Sequence, residues 1–248
     1  MIDIVIPLGT ESRWQDNELR YTLRAIEKYL TGYRDIYIIG HPRKWLKEKT
    51  KVKVDNCSVT YPGVTFIPAE DNHTEKQRSI YQKILKAAKD DRITGTFAMW
   101  NDDHYLLQPL EITNIKYWYY STVERLGQLS GGTYQRICIN SNNYLMSKGY
   151  GNRNFDIHTP ILFEKEKFVQ LEAENWSLEH IIKSLYCNRW GIEGEEMRDL
   201  KFGKPFRREE IRAAIQNRLW FSISEHGTND AMKDILAELY PEKSKYEI

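Results

Sequence analysis

Two adjacent carboxylates, Asp102 and Asp103, carry the clearest chemical signal in this chain. The apolar run Thr96-Phe-Ala-Met-Trp100 leads into them and the apolar Tyr105-Leu-Leu107 follows. An acidic pair held between segments that prefer burial needs a compensating cation or partner, because an unpaired buried charge is costly. Hard divalent ions take oxygen ligands, commonly one or two carboxylates with phosphate oxygens and water. Mg²⁺ or Mn²⁺ is therefore the expected cofactor, on Asp103 and Asp102. It would neutralise a diphosphate and the charge that grows as a bond to it breaks. A bare Asp-Asp elsewhere reads as a solvated turn or a cap; the flanking segments argue for a site here.

Other residues could share that chemistry. Arg13, Arg20 and Arg24 offer the bidentate donors that phosphate prefers, although their spacing also suits a solvated helix face with internal ion pairs. Lys76 and Arg78 stand where a helix begins, and a helix start favours anions. Among six histidines, His158 is the leading candidate for a third metal ligand or a general base, since imidazole takes up a proton near neutral pH. Asp156 stands two residues before it. Asp199 and the pair Glu179-His180 are weaker candidates for the same roles. Lys201, Arg207 and Arg208 form a basic cluster that reads as a solvated face or as a contact for a phosphorylated acceptor.

These residues need a scaffold, and the hydrophobic periodicity supplies one. Ile2 to Leu8 predicts a buried strand ending at Pro7 and Gly9. Asp16 is placed to cap a helix in which Leu19, Leu23, Ile26 and Leu30 repeat, with Gly32 ending it. Asp35 to Gly40 and Val64 to Pro68 predict two further strands. Thr74 and Gln77 have capping-box spacing ahead of Ile80, Ile84 and Ala88, a second helix. Thr96 to Trp100 is a strand that delivers Asn101-Asp-Asp103. Strands alternating with helices predict βαβ units and a mainly parallel sheet, whose ligands bind beyond the carboxyl ends of the strands. Further along, Gly127 to Thr133 reads as a loop and Arg136 to Ile139 as a short strand. Leu178 to Tyr186, Arg208 to Trp220 and Asp230 to Tyr240 read as helices.

Bulk composition excludes several classes. A net charge of +1 over 248 residues provides no global field for nucleic acid. Cys57, Cys138 and Cys187 lie far apart, which argues against a disulfide framework or thiolate zinc. No apolar run approaches the roughly 20 residues that span a bilayer. The opening Met1-Ile-Asp-Ile-Val-Ile-Pro-Leu-Gly9 is too short and acidic for a signal peptide. The expected localisation is cytoplasmic.

The stretch Arg13-Trp-Gln-Asp-Asn-Glu-Leu-Arg-Tyr-Thr-Leu-Arg24, then Tyr33-Arg-Asp-Ile-Tyr-Ile-Ile39 and Trp45-Leu46, resembles the second conserved region of the Stealth family. Trp100-Asn-Asp-Asp-His-Tyr-Leu106 stands where that family carries Asn-Asp-Asp, and Phe155-Asp-Ile-His-Thr-Pro160 resembles its histidine-containing third region. Stealth proteins move a sugar-1-phosphate from a nucleotide-sugar onto a glycan. The strand–Asp-Asp plan is also similar to GT-A glycosyltransferases, whose acidic motif holds Mn²⁺ or Mg²⁺ and a nucleoside diphosphate.

The resemblance implies an α/β, GT-A-like (Rossmann-like) fold: a mainly parallel sheet flanked by helices, with a helical C-terminal part. Residues 1–248 would form one transferase domain, with a nucleotide-sugar-binding half (1–110) and an acceptor-side half (111–248). The expected activity is metal-dependent transfer of a sugar from a nucleoside diphosphate-sugar, a UDP-sugar being the first choice, to a hydroxyl of a glycan or other acceptor. Pro7, Leu8, Gly9, Arg13, Arg20, Lys76 and Asn101 would bind the donor. Asp102, Asp103, His158 and Asp156 would be catalytic, with His158 joining the aspartates on the metal. Trp100, Tyr105, Trp176 and Asp199 would shape the sugar or acceptor pocket. The alternatives are a Stealth-type sugar-1-phosphate transferase, a non-catalytic nucleotide-sugar-binding module, and a glycosyltransferase acting on hydroxymethylated bases of phage DNA. Near-zero net charge disfavours the last.

Overall fold

A computed structural model describes residues 1–10, 12–54, 57–71, 76–174 and 180–248. The strands of its two principal sheets are β1 (Ile2–Pro7), β2 (Tyr33–Ile39), β3 (Thr65–Ile67), β4 (Thr96–Met99), β5 (His104–Leu106), β6 (Ile161–Glu164), β7 (Lys201–Phe202) and β8 (Trp220–Ile223). The helices are α1 (Asn17–Tyr29), α2 (Lys76–Lys89), α3 (Val123–Leu129), α4 (Gly132–Ser147), α5 (Lys165–Gln170), α6 (Ile182–Arg189), α7 (Arg208–Ile215) and α8 (Asp230–Leu239).

The fold is α/β. Its central sheet has the order β6-β4-β1-β2-β3, parallel throughout except for β6 at one edge. β1 is the middle strand, and Ile4, Val5 and Ile6 on its two faces are all fully buried, as a strand covered on both sides requires. On one face Ile4 and Ile6 join Leu19, Leu23 and Ile26 of α1 and Ile235 and Leu236 of α8. On the other, Val5 joins Ile84 and Ala88 of α2, Phe168 of α5 and Tyr186 of α6. The chain lays down β1, β2 and β3 in one direction, then returns past β1 to add β4. Between the carboxyl ends of β1 and β4 the connections diverge, which opens the crevice in which such sheets bind ligands.

A second, three-stranded sheet has the order β7-β8-β5, with β7 parallel and β5 antiparallel to β8. It brings the second half of the chain to the segment that follows the acidic pair. No helix among the described residues is long and apolar enough to cross a membrane. Cys138 and Cys187 are buried free thiols.

Several expected elements differ. Arg136 to Ile139 lies inside α4, where Ile137, Cys138, Ser141 and Leu145 form one buried helical stripe; the loop expected over Gly127 to Thr133 shrinks accordingly. The helix expected over Arg208 to Trp220 ends at Ile215, and Asn217 adopts a positive φ of 60°. That turn releases Trp220 to Ile223 as a wholly buried strand. Asp16 does not cap α1. It is itself left-handed (φ 55°), and its carboxylate accepts from the Ser12 amide and pairs with Arg43. α6 begins at Ile182. Leu178, Glu179 and the capping-box Thr74 lie outside the described residues.

Candidate functional site

The turn that carries the acidic pair is anchored from behind. The Trp100 amide donates to the Val5 carbonyl (2.9 Å), continuing the β4–β1 ladder by one residue. The Thr22 hydroxyl of α1 donates to the carbonyl of Asp102 (2.7 Å) and reaches that of His104 (3.3 Å). The Trp100 indole N–H also donates to the His104 carbonyl (3.2 Å). These bonds fix the backbone of 100–104, so both aspartate side chains project from a rigid mount at the sheet edge.

The crevice at that edge is a cavity of about 440 Å³. Pro7, Gly9, Lys76, Asn101, Asp102 and Asp103, all expected site residues, line it together. Glu18, Asp71, Ser79, Lys83, Ser224 and Glu225 line it as well. Five of these side chains are carboxylates (Glu18, Asp71, Asp102, Asp103, Glu225) and two are lysines. Lys83 is already committed, its Nζ bonding Asp71 (2.6 Å) and the Leu8 carbonyl (2.5 Å). Glu225 is likewise paired, with Arg13, which leaves Glu18, Asp102 and Asp103 facing Lys76.

Burial raises the carboxyl of Asp103 to about 7, and the neighbouring Asp102 charge adds to the rise; Lys201 and Lys76 oppose it. Burial also raises Asp102, against Lys76. The Glu18 carboxyl moves up for the same reason, although it accepts from the Ser12 hydroxyl at 2.7 Å. The Asp103 side chain is 23% exposed, yet its Oδ1 is sealed from solvent and has no hydrogen-bond partner. An orphaned carboxylate oxygen beside a second carboxylate suits a divalent cation. Among the described residues, no group of three His, Cys, Asp or Glu side chains converges as a ready-made metal cage, so Asp102 and Asp103 would need ligand oxygens or water to complete a shell.

His158 sits in a separate cluster. Its Nδ1 lies 2.7 Å from Asp199 Oδ2, which also accepts from the His158 amide at 2.9 Å. Its Nε2 lies 2.6 Å from Lys201 Nζ. The network assigns the proton to Nδ1 and the lone pair to Nε2. Burial alone would raise Asp199, but the bonds from His158 bring its carboxyl below the usual range. Asp156, expected to work with His158, instead accepts from the Tyr134 hydroxyl at 2.5 Å. Asp199, expected in a pocket wall, is the carboxylate that orients the histidine. Among the described residues, His158 does not converge with Asp102 and Asp103 as a metal cage.

The second sheet sets the distance between the two clusters. Lys201 pairs across from Ser222, and Ser222 pairs across from His104. One row of side chains thus spans three strands at about 4.8 Å each, and the charge of Lys201 reaches Asp103.

The remaining expectations separate clearly. Arg20 turns away from the cavity: its Nη1 bonds buried Glu247 at 3.1 Å and its guanidinium stacks on Trp45. Arg24 grips the same glutamate with two bonds of 2.7 and 2.8 Å. Arg13 meets the rim only through an exposed pair with Glu225 (2.8 Å). Leu8 is buried and contributes its carbonyl, not its side chain. Trp100 and Tyr105, expected in a sugar or acceptor pocket, are core residues at 1% and 0% exposure, with Tyr105 packed on Phe221 and Tyr240. Trp176 lies outside the described residues. Of the cavity residues that sequence reading missed, Glu18 stood in plain view, in the Asn-Glu-Leu-Arg stretch, whereas Asp71, Lys83 and Ser224 carry no local signature.

No protein-family model and no curated protein matches this sequence, so the Stealth resemblance rests on its motif residues. Among solved structures, the chain is paired with a glycosyltransferase involved in the glycosylation of the major capsid of PBCV-1. Identity is 14%, the match covers 96% of this chain and 100% of that one, and the TM-score is 0.43.

Proposed function

We propose that this protein is a metal-dependent glycosyltransferase that moves a sugar from a nucleoside diphosphate donor to a hydroxyl acceptor. One observation carries the reading: at the divergence point of a parallel sheet, two rigidly mounted aspartates line a cavity in which carboxylates outnumber lysines. Such a cavity repels a diphosphate unless a divalent cation enters with it. Asp102 and Asp103 would hold Mn²⁺ or Mg²⁺. When bound, that ion neutralises the diphosphate and so stabilises it as a leaving group.

The protein's own residues supply the rest. Lys76, first residue of α2, adds charge at a helix start suited to phosphate. Lys83 and Arg43 bond the carbonyls of Leu8 and Gly9 (2.5 and 2.8 Å), so the loop after β1 keeps its shape around the donor. His158 Nε2 would take the proton of an acceptor hydroxyl that displaces Lys201 from it. Asp199 holds the ring in the required tautomer and stabilises the imidazolium that results.

The test is donor turnover by purified protein across a panel of nucleoside diphosphate-sugars, with and without EDTA, with products weighed by mass spectrometry. Chelator-sensitive release of a nucleoside diphosphate is expected. Hydrolysis that ignores EDTA removes the metal from the scheme. Release of a nucleoside monophosphate, with phosphate retained in the product, replaces sugar transfer by sugar-1-phosphate transfer.

A further inference from the structure

Directly after the acidic pair stands His104, a residue that the scheme above does not use. It is 2% exposed, and neither ring nitrogen has a hydrogen-bond partner. Its Nε2 lies 3.7 Å from Asp103 Oδ1, the carboxylate oxygen that is likewise orphaned. Across the strand pair, the buried Oγ of Ser222 is unpartnered too. Direct cross-strand neighbours have Cβ atoms about 5 Å apart, so three unsatisfied polar groups adjoin one another inside the protein.

Each such group, left unmade, costs on the order of 1–3 kcal/mol. Their juxtaposition on a turn fixed by Thr22 and Trp100 calls for a shared partner. The separation nearly fits one. Two donors each about 2.1 Å from a single ion stand roughly 3.0 Å apart at a right angle and roughly 3.6 Å apart at 120°. A gap of 3.7 Å lies just beyond that range, within reach of a small side-chain rotation, and it is too long for a direct hydrogen bond. The neighbouring ammonium of Lys201 is turned away, onto His158 Nε2.

We propose that Asp103 Oδ1 and His104 Nε2 chelate one divalent cation on the sheet side of the acidic pair, with Ser222 Oγ beside it. This nitrogen ligand favours Mn²⁺ and other transition ions over Mg²⁺, because imidazole binds transition ions well while Mg²⁺ demands oxygen. The inference shares with the proposed function only the presence of a cation at Asp103; it needs neither a donor nor turnover.

The test uses full-length protein loaded with Mn²⁺ alone, examined by pulsed EPR for ¹⁴N modulation from a directly bound imidazole. Wild type should show the coupling, and so should His158→Gln. His104→Gln should lose it and bind Mn²⁺ at least about tenfold more weakly, a cost seen even for groups that only support a ligand. Ser222→Ala, a small change that keeps the fold should His104→Gln fail to do so, should weaken Mn²⁺ binding less but measurably. Bound Mn²⁺ without nitrogen coupling overturns the chelate and leaves the proposed function standing. Coupling that disappears in His158→Gln reassigns the ligand and overturns it as well. Failure to bind Mn²⁺ at all refutes the chelate, and donor turnover insensitive to EDTA refutes the metal role in catalysis separately.

Discussion

Substituting Glu247 by Gln tests how the segment after α8 supports the site. Glu247 is 3% exposed and accepts from Arg24 at 2.7 and 2.8 Å, from Arg20 at 3.1 Å and from the Ser244 amide at 2.9 Å. Both arginines lie on α1, the helix whose Thr22 holds the Asp102 carbonyl. Burial alone would raise Glu247, but the Arg24 bonds dominate and its carboxyl falls from 4.5 to about 2. At about 1.4 kcal/mol per unit, that shift is worth roughly 3 kcal/mol. Breaking a buried pair by removing one partner costs a similar amount, about 3–5 kcal/mol. For a chain of this size Glu247→Gln should lower the melting temperature by roughly 6–12 °C at pH 7.

The pH dependence has a definite sign. The folded-state pKa lies below the unfolded one, so the stabilisation is complete above about pH 4.5 and is lost as pH falls towards 2. Urea unfolding of wild type and Glu247→Gln from pH 7 to pH 2.5 should show two stability curves that converge as the solution is acidified. A constant gap, or a gap below about 1 kcal/mol at pH 7, would refute the assigned ion-pair network.

Asp103→Asn should melt above wild type by roughly 2–8 °C without metal, because it removes an unpartnered buried charge from beside Asp102. Mn²⁺ should raise the melting temperature of wild type but not of this variant; the reverse pattern would separate Asp103 from the cation. Arg20→Met should cost about 1–2 kcal/mol of stability and leave the donor KM unchanged, since Arg20 serves Glu247. A large rise in donor KM at unchanged stability would restore Arg20 to the phosphate site. Asp199→Asn should lower kcat on the order of 10²-fold with little effect on donor KM, because it loosens His158 without touching the cavity. Equal loss in both parameters would place Asp199 in donor binding.

Local pattern was enough for everything that depends on neighbours in sequence. The uniform burial of Ile4, Val5 and Ile6, the Leu19–Leu23–Ile26 stripe and the apolar entry into Asp102-Asp103 follow from periodicity, because each element must bury its own face. The parallel sheet and the position of the acidic pair at its carboxyl edge follow from strand–helix alternation. The pairing of side chains across long separations did not. Arg20 and Arg24 have the spacing of a phosphate clamp, but Glu247, more than two hundred residues later, satisfies them. His158 finds its carboxylate in Asp199 and not in nearby Asp156, and the row His104–Ser222–Lys201 exists only because β8 pairs with both β5 and β7. The reason is physical: sequence spacing constrains which groups share a face of one element, whereas charge and hydrogen-bond partners are chosen by packing, which brings together whichever groups the topology leaves unsatisfied.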